Sequence, residues 1–167
     1  MPLIAHLATG IAGKWAAPKA NALGLVVAAE ALDLPHFPPV SLLVEVPFWV
    51  THGLLMSLVW SAVVVGVMRL LGKQTRVCVV YGLAVFSHWI LDFIAWPMGA
   101  VTGDGSPLAA NIPLAFPGSP MVGLGLYNHS SVTAYAFELG VTVVGVGAYV
   151  RFKRRERAAA PMTLAEV

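Results

Sequence analysis

Histidine and carboxylate are scarce in this chain, five and eight residues respectively, and several of them fall inside runs that are otherwise apolar. His88 and Asp92 stand four residues apart in Ser87-His88-Trp89-Ile90-Leu91-Asp92, so a helix there turns imidazole and carboxylate to one face. Such a pair can hold one metal ion through both side chains, or the Asp can orient a ligating His. A neutral histidine bonded to a carboxylate merely to satisfy both groups in lipid is the third alternative.

Other residues of the same chemistry lie elsewhere. His52, preceded by Thr51, opens an apolar run, either as a ligand or as a histidine at a membrane interface. Glu30 and Asp33 are spaced i,i+3 and share a helix face, although Asp33 can also serve simply to end a helix before Pro35. Asn128, Ser131, Tyr135 and Glu138 form a stripe at helical spacing, which turns Glu138 toward the bundle interior, where it would orient a ligand or act as a general base. His6 can reach the site from a short first helix; His36 lies in a flexible connection, and His129 is off the stripe.

The expected metal ligands are therefore Asp33, His52, His88 and Asp92, with Glu138 and Asp92 as catalytic groups and with Glu30, His6 and Asn128 as further candidates. Cys78 is the sole cysteine, so thiolate clusters and disulfides are excluded. Nitrogen and oxygen ligands of this kind suit a divalent cofactor, Zn²⁺ or Mn²⁺, and a bound ion that acidifies water makes hydrolysis the natural chemistry.

The elements that must position these residues are hydrophobic helices. The 167-residue chain is 58% hydrophobic and 11% charged, with a mean hydropathy of +0.79, whereas soluble domains run near a quarter charged. That composition predicts an all-α integral membrane protein. About four hydrophobic helices and a short or re-entrant N-terminal helix are expected, in one membrane domain over residues 1–150. Val50 to Leu71, Val77 to Pro97 and the longer Gly123 to Val150 have spanning length, and Leu3 to Gly13 and Ala20 to Leu34 form a weaker N-terminal hairpin. Leu34 to Pro47 carries four prolines and reads as an irregular connection. Met98 to Val122 reads as a long Gly/Pro-rich loop that could serve as a lid. Met1 to Gly13 lacks a basic n-region and does not read as a cleaved signal peptide.

All ten Lys and Arg residues fall in three clusters: Lys14 and Lys19, then Arg69, Lys73 and Arg76, then Arg151 to Arg157. Alternating spans put the three on one side, the positive-inside pattern of a cytoplasmic face. Residues 151–167 then form a basic and polar cytoplasmic tail, expected to be frayed. No nucleic-acid surface is implied. At 1.5 Å per residue, Asp33 lies about 21 Å from Lys19, His52 about 26 Å from Arg69, His88 about 18 Å from Arg76 and Glu138 about 20 Å from Arg151. They converge on the outer half of the bilayer. Ionisable groups at that depth are a functional site by default, and a membrane lipid is the natural amphipathic substrate. Two non-enzymatic readings stay open: a membrane subunit in which the polar groups bind helices or a partner membrane protein together, and an ion or metal carrier.

At these residues the sequence resembles the membrane-bound metal-dependent hydrolases called YdjM-like, small proteins of the bacterial inner membrane distantly similar to zinc-dependent phospholipase C and P1 nuclease. The matching pieces are Glu30 and Asp33 around Ala-Leu-Asp-Leu-Pro-His, Thr51-His52-Gly53-Leu54-Leu55, and His88 with Asp92. Gly123-Leu124-Gly125-Leu126-Tyr127-Asn128, followed by Glu138, also fits a branch of the group. Family members often read His-Arg-Gly-x-Thr-His-Ser where this chain has Pro47-Phe48-Trp49-Val50-Thr51-His52-Gly53, and Pro-Asp where it has Glu30. The resemblance implies a class, metal-dependent hydrolysis, and no particular substrate.

Overall fold

The computed structural model describes residues 3–96, 112–115 and 119–159. Among them the chain is helical except for one minimal two-stranded ladder. In order come α1 (Leu3–Ala16), α2 (Ala22–Ala29), a 3-10 turn (Leu34–His36), α3 (Val40–Leu43), α4 (Phe48–His52), α5 (Leu54–Leu70) and α6 (Thr75–Ala95). There follow β1 (Ile112–Pro113) and β2 (Met121–Val122), paired antiparallel, then α7 (Leu126–His129) and α8 (Ser131–Ala158).

Of these, α6 and α8 are long and apolar enough to cross a membrane; α5 is apolar but shorter, at 17 residues. Local chemistry explains where the helices depart from the hydropathy boundaries. Asn21 caps α2 by accepting from Gly24 N, and the helix stops at Glu30, so the expected span from Ala20 to Leu34 is an eight-residue helix and a turn. Gly53 is extended and breaks the run from Val50, leaving Thr51 and His52 on the separate helix α4. Gly125 has φ +54, a left-handed conformation natural to glycine, and Ser130 caps α8 by accepting from Thr133 N. The last helix therefore begins at Ser131 instead of Gly123. It also continues through the basic run to Ala158, where fraying was expected, because Arg and Lys are good helix formers and sit favourably at a helix C-terminus.

The bundle is built around α6, which packs on α5, α2 and α1, while α8 packs along α1. Leu25, Ala28 and Ala29 of α2 and Val77, Val80, Ala84 and Val85 of α6 make the core. Small residues bring the backbones together. A Cβ added at Gly10 would lie 2.8 Å from the Leu25 carbonyl oxygen, and one at Gly145 only 2.5 Å from that of Ala8, so these positions set the α1–α2 and α1–α8 contacts. Basic residues gather at one end. Lys14 Nζ donates to the Ala20 carbonyl and lies over the Phe152 ring, and Lys19 shares a pocket with Gln74 and Arg76.

Candidate metal centre

Five elements converge at the other end of α6. His6 comes from α1, Glu30 ends α2, Asp33 sits in the following turn, His52 ends α4, and His88 and Asp92 lie one turn apart on α6. All six are buried, the largest exposure being the 7% of Glu30. His52 Nε2 is 3.1 Å from Asp33 Oδ1 and 3.5 Å from Asp92 Oδ2, and His88 Nε2 is 3.2 Å from Asp92 Oδ2 and 3.7 Å from Asp33 Oδ1. His6 Nε2 lies 3.5 Å from the other Asp92 oxygen, Oδ1, with its ring against that of His88 at 4.1 Å. Two overlapping groups have ligand atoms close enough to hold a metal ion: Asp33, His52 and His88, and His6, His88 and Asp92.

The surrounding hydrogen bonds decide which ring nitrogen is available. His88 Nδ1 is 2.7 Å from the Ala29 carbonyl oxygen, which can only accept, so Nδ1 carries a proton and Nε2 is the ring atom that faces Asp92 and Asp33. The Thr51 hydroxyl donates to the Phe48 carbonyl, which commits its one proton. It lies 2.6 Å from His52 Nδ1 and 2.8 Å from His36 Nε2, and must accept from both. His52 Nε2 is then the ring nitrogen that faces Asp33 and Asp92. Phe48 stacks on the His52 ring at 3.8 Å and 11°, fixing its plane. Burial, then the neighbouring His52, lowers the His36 pKa, which keeps that imidazole neutral. The centre thus turns the Nε2 atoms of His52 and His88 toward the carboxylate oxygens of Asp33 and Asp92.

Asp33, His52, His88 and Asp92, expected as ligands, all meet here, as do Glu30 and His6. Glu30 differs from the rest: neither carboxylate oxygen has a hydrogen-bond donor among the described residues. Glu138 belongs to neither ligand group; it accepts from the Tyr127 hydroxyl at 2.6 Å. Burial and that carboxylate push the Tyr127 phenol up, so it stays the donor. Asn128 leaves the helical stripe because the break at Ser130 puts it on α7, and Tyr127 takes its place beside Tyr135 at 5.3 Å. Asn128 Nδ2 is buried without a hydrogen-bond partner among the described residues.

Thr51 and His36 hold the centre without being ligands, and sequence reasoning gave neither that role. The adjacency of Thr51 to His52 was visible; its contact with His36 arises only when the proline-bounded connection folds back. Much of the expected lid, Met98 to Val122, lies outside the described residues. Its described part docks beside α4, with Leu55 N donating to the Leu114 carbonyl at 2.8 Å. No family model, curated protein or solved structure matches the chain.

Proposed function

We propose that this chain is an integral protein of a bacterial inner membrane whose His/Asp centre holds a divalent metal ion, Zn²⁺ or Mn²⁺, and hydrolyses an ester or phosphoester of a lipid. The observation that carries the metal is that the ligand atoms of Asp33, His52 and His88, and likewise those of His6, His88 and Asp92, lie within 4.8 Å of one another. A four-coordinate ion with bonds of 2.0–2.1 Å keeps its ligand atoms about 3.3 Å apart. The four His–Asp separations, 3.1, 3.2, 3.5 and 3.7 Å, bracket that value.

The chain's own groups prepare such a site before an ion arrives. The Ala29 carbonyl and the Thr51 hydroxyl hold the two rings in the tautomer that ligates, and burial excludes competing water. A bound divalent ion would supply a Lewis acid and lower the pKa of water. In the overall reaction water adds at the acyl carbon or phosphorus, the bond to the leaving alcohol breaks, and that alcohol takes a proton from water.

Exposed apolar side chains support the membrane setting: Leu55, Val63 and Val67 on α5 and Val132, Leu139 and Val143 on α8 face outward. With the basic end in the cytoplasm, the C-terminus is cytoplasmic and the centre lies on the side of the outer leaflet, at the level of lipid headgroups. The motifs shared with YdjM-like hydrolases supply the reaction class.

A structural reading pairs two imidazolium rings with Asp33 and Asp92 to tie the helices together. Elemental analysis of chelator-free, detergent-purified protein beside His88→Ala tests the choice. We expect a near-stoichiometric divalent metal in the wild type that falls in the variant, together with turnover of a lipid ester or phosphoester. No metal in either protein would overturn the reading.

A further inference from the structure

We infer that the cavity between the α1–α2 turn and the start of α6, at the basic end of the bundle, is a binding site for a phosphate group, supplied by the headgroup of an anionic membrane lipid. This does not rest on the metal centre, which lies at the other end of α6; it shares with the reading above only the membrane setting.

The cavity measures about 240 Å³ and is lined by Ala17, Pro18, Lys19, Gln74, Arg76 and Val77. That is below the roughly 300 Å³ at which pockets for whole drug-sized ligands begin, and it suits a headgroup. Two cationic residues and no acidic one stand in its wall. The basic residues nearby are of two kinds. Lys14 is committed, donating from Nζ to the carbonyls of Pro18 and Ala20, which fixes the turn that carries Lys19. Arg69 is committed too, its guanidinium donating to the Thr75 hydroxyl at 2.7 Å beside the first turn of α6. Lys19 and Arg76 have no hydrogen-bond or ion-pair partner among the described residues, where the one ion pair of a Lys or Arg joins Lys153 to Glu156. The committed pair builds the walls; the uncommitted pair is left for a ligand.

The backbone adds charge of the same sign. α6 runs 21 residues from Thr75, and its N-cap residue Gln74 makes no side-chain capping bond. The N–H groups of Thr75, Arg76 and Val77 have no intrahelical acceptor, so the positive end of the helix dipole stands at the cavity. Arg76, a cation in that first turn, opposes the dipole. An anion in the cavity relieves both, meeting the cations and the helix end together. With the basic end in the cytoplasm, the cavity lies at the level of the inner-leaflet headgroups, where lipid phosphates are the concentrated anion. Basic pockets between membrane helices on that side take such headgroups.

The test is native mass spectrometry of the delipidated full chain in nonionic detergent, with phosphatidylglycerol, phosphatidylcholine of the same acyl chains, or glycerol phosphate added. We expect one phosphatidylglycerol per wild-type chain, held at least about tenfold more tightly than phosphatidylcholine, whose choline brings a positive charge to the cavity. Lys19→Gln/Arg76→Gln should bring the two lipids within about twofold of each other, and each single substitution should give an intermediate preference. All these side chains are exposed, so the variants keep the fold, which the thermal midpoint checks. Lys73→Gln/Arg151→Gln removes the same charge outside the cavity and should leave the preference intact. An equal loss in that control would overturn the site in favour of a diffuse basic face, and no preference in the wild type would overturn it outright. Glycerol phosphate displacing phosphatidylglycerol at equal concentration would overturn the lipid as the source and assign the cavity to a soluble phosphate ester. Metal content is read separately, so a chain without metal leaves this site standing.

Discussion

His88 on α6 donates through Nδ1 to the carbonyl of Ala29, the last residue of α2, at 2.7 Å. One bond thereby satisfies a helix-end carbonyl, locks the two helices in register, and turns Nε2 of the same ring toward Asp33 and Asp92.

The two roles of that ring can be separated. Asn places an amide N–H near the position of Nδ1 and nothing at Nε2, so His88→Asn should keep the thermal midpoint of the metal-free protein within a few degrees of wild type. Metal content should fall at least tenfold in the same preparation, as expected when a ligand is removed. Retained metal would show that Nε2 is not a ligand.

Thr51 should behave as a positioning residue. Thr51→Val keeps the shape but removes the acceptor for both His52 and His36, leaving a buried donor on His52 that costs about 1–3 kcal/mol if unmet and a half-buried one on His36 that costs less. Metal affinity should drop about 10- to 100-fold. Thr51→Ser should restore most of it. A valine variant with wild-type affinity in a chelator competition assay would exclude this role.

Packing of α8 on α1 depends on Gly145. Gly145→Val drives a side chain into the Ala8 backbone and should destabilise by at least about 1–3 kcal/mol. An added Cβ at Gly140 meets nothing within 4 Å, so Gly140→Ala should stabilise α8 by about 0.5–1 kcal/mol. Thermal unfolding in detergent reads both, and equal shifts would contradict the close contact at Gly145.

Glu138 pairs with Tyr127 and lies in neither His/Asp group. Tyr127→Phe should therefore leave metal stoichiometry unchanged while costing about 0.5–1.5 kcal/mol for the lost hydrogen bond. Metal loss in Tyr127→Phe would restore Glu138 to the centre.

Much of this architecture was legible in the sequence. Apolar run lengths announced α6 and α8, and the i,i+4 spacing of His88 and Asp92 put both on one face, because helical periodicity is a local property of the chain. Placing Asp33, His52 and His88 at similar distances from basic anchors anticipated their meeting, since rise per residue is constant. The same arithmetic carried Glu138 toward that level, but height along a helix leaves rotation about its axis and neighbouring contacts free. Only packing paired Glu138 with Tyr127, through a helix break at Ser130 that hydropathy does not register. Tertiary structure alone also decided the ring tautomers, which rest on a carbonyl of α2 and a hydroxyl of α4, and the isolation of Glu30 from any described hydrogen-bond donor. The amino-acid order determined which polar groups stand on apolar helices; which atoms face one another was decided by close helix contacts between residues far apart in the chain.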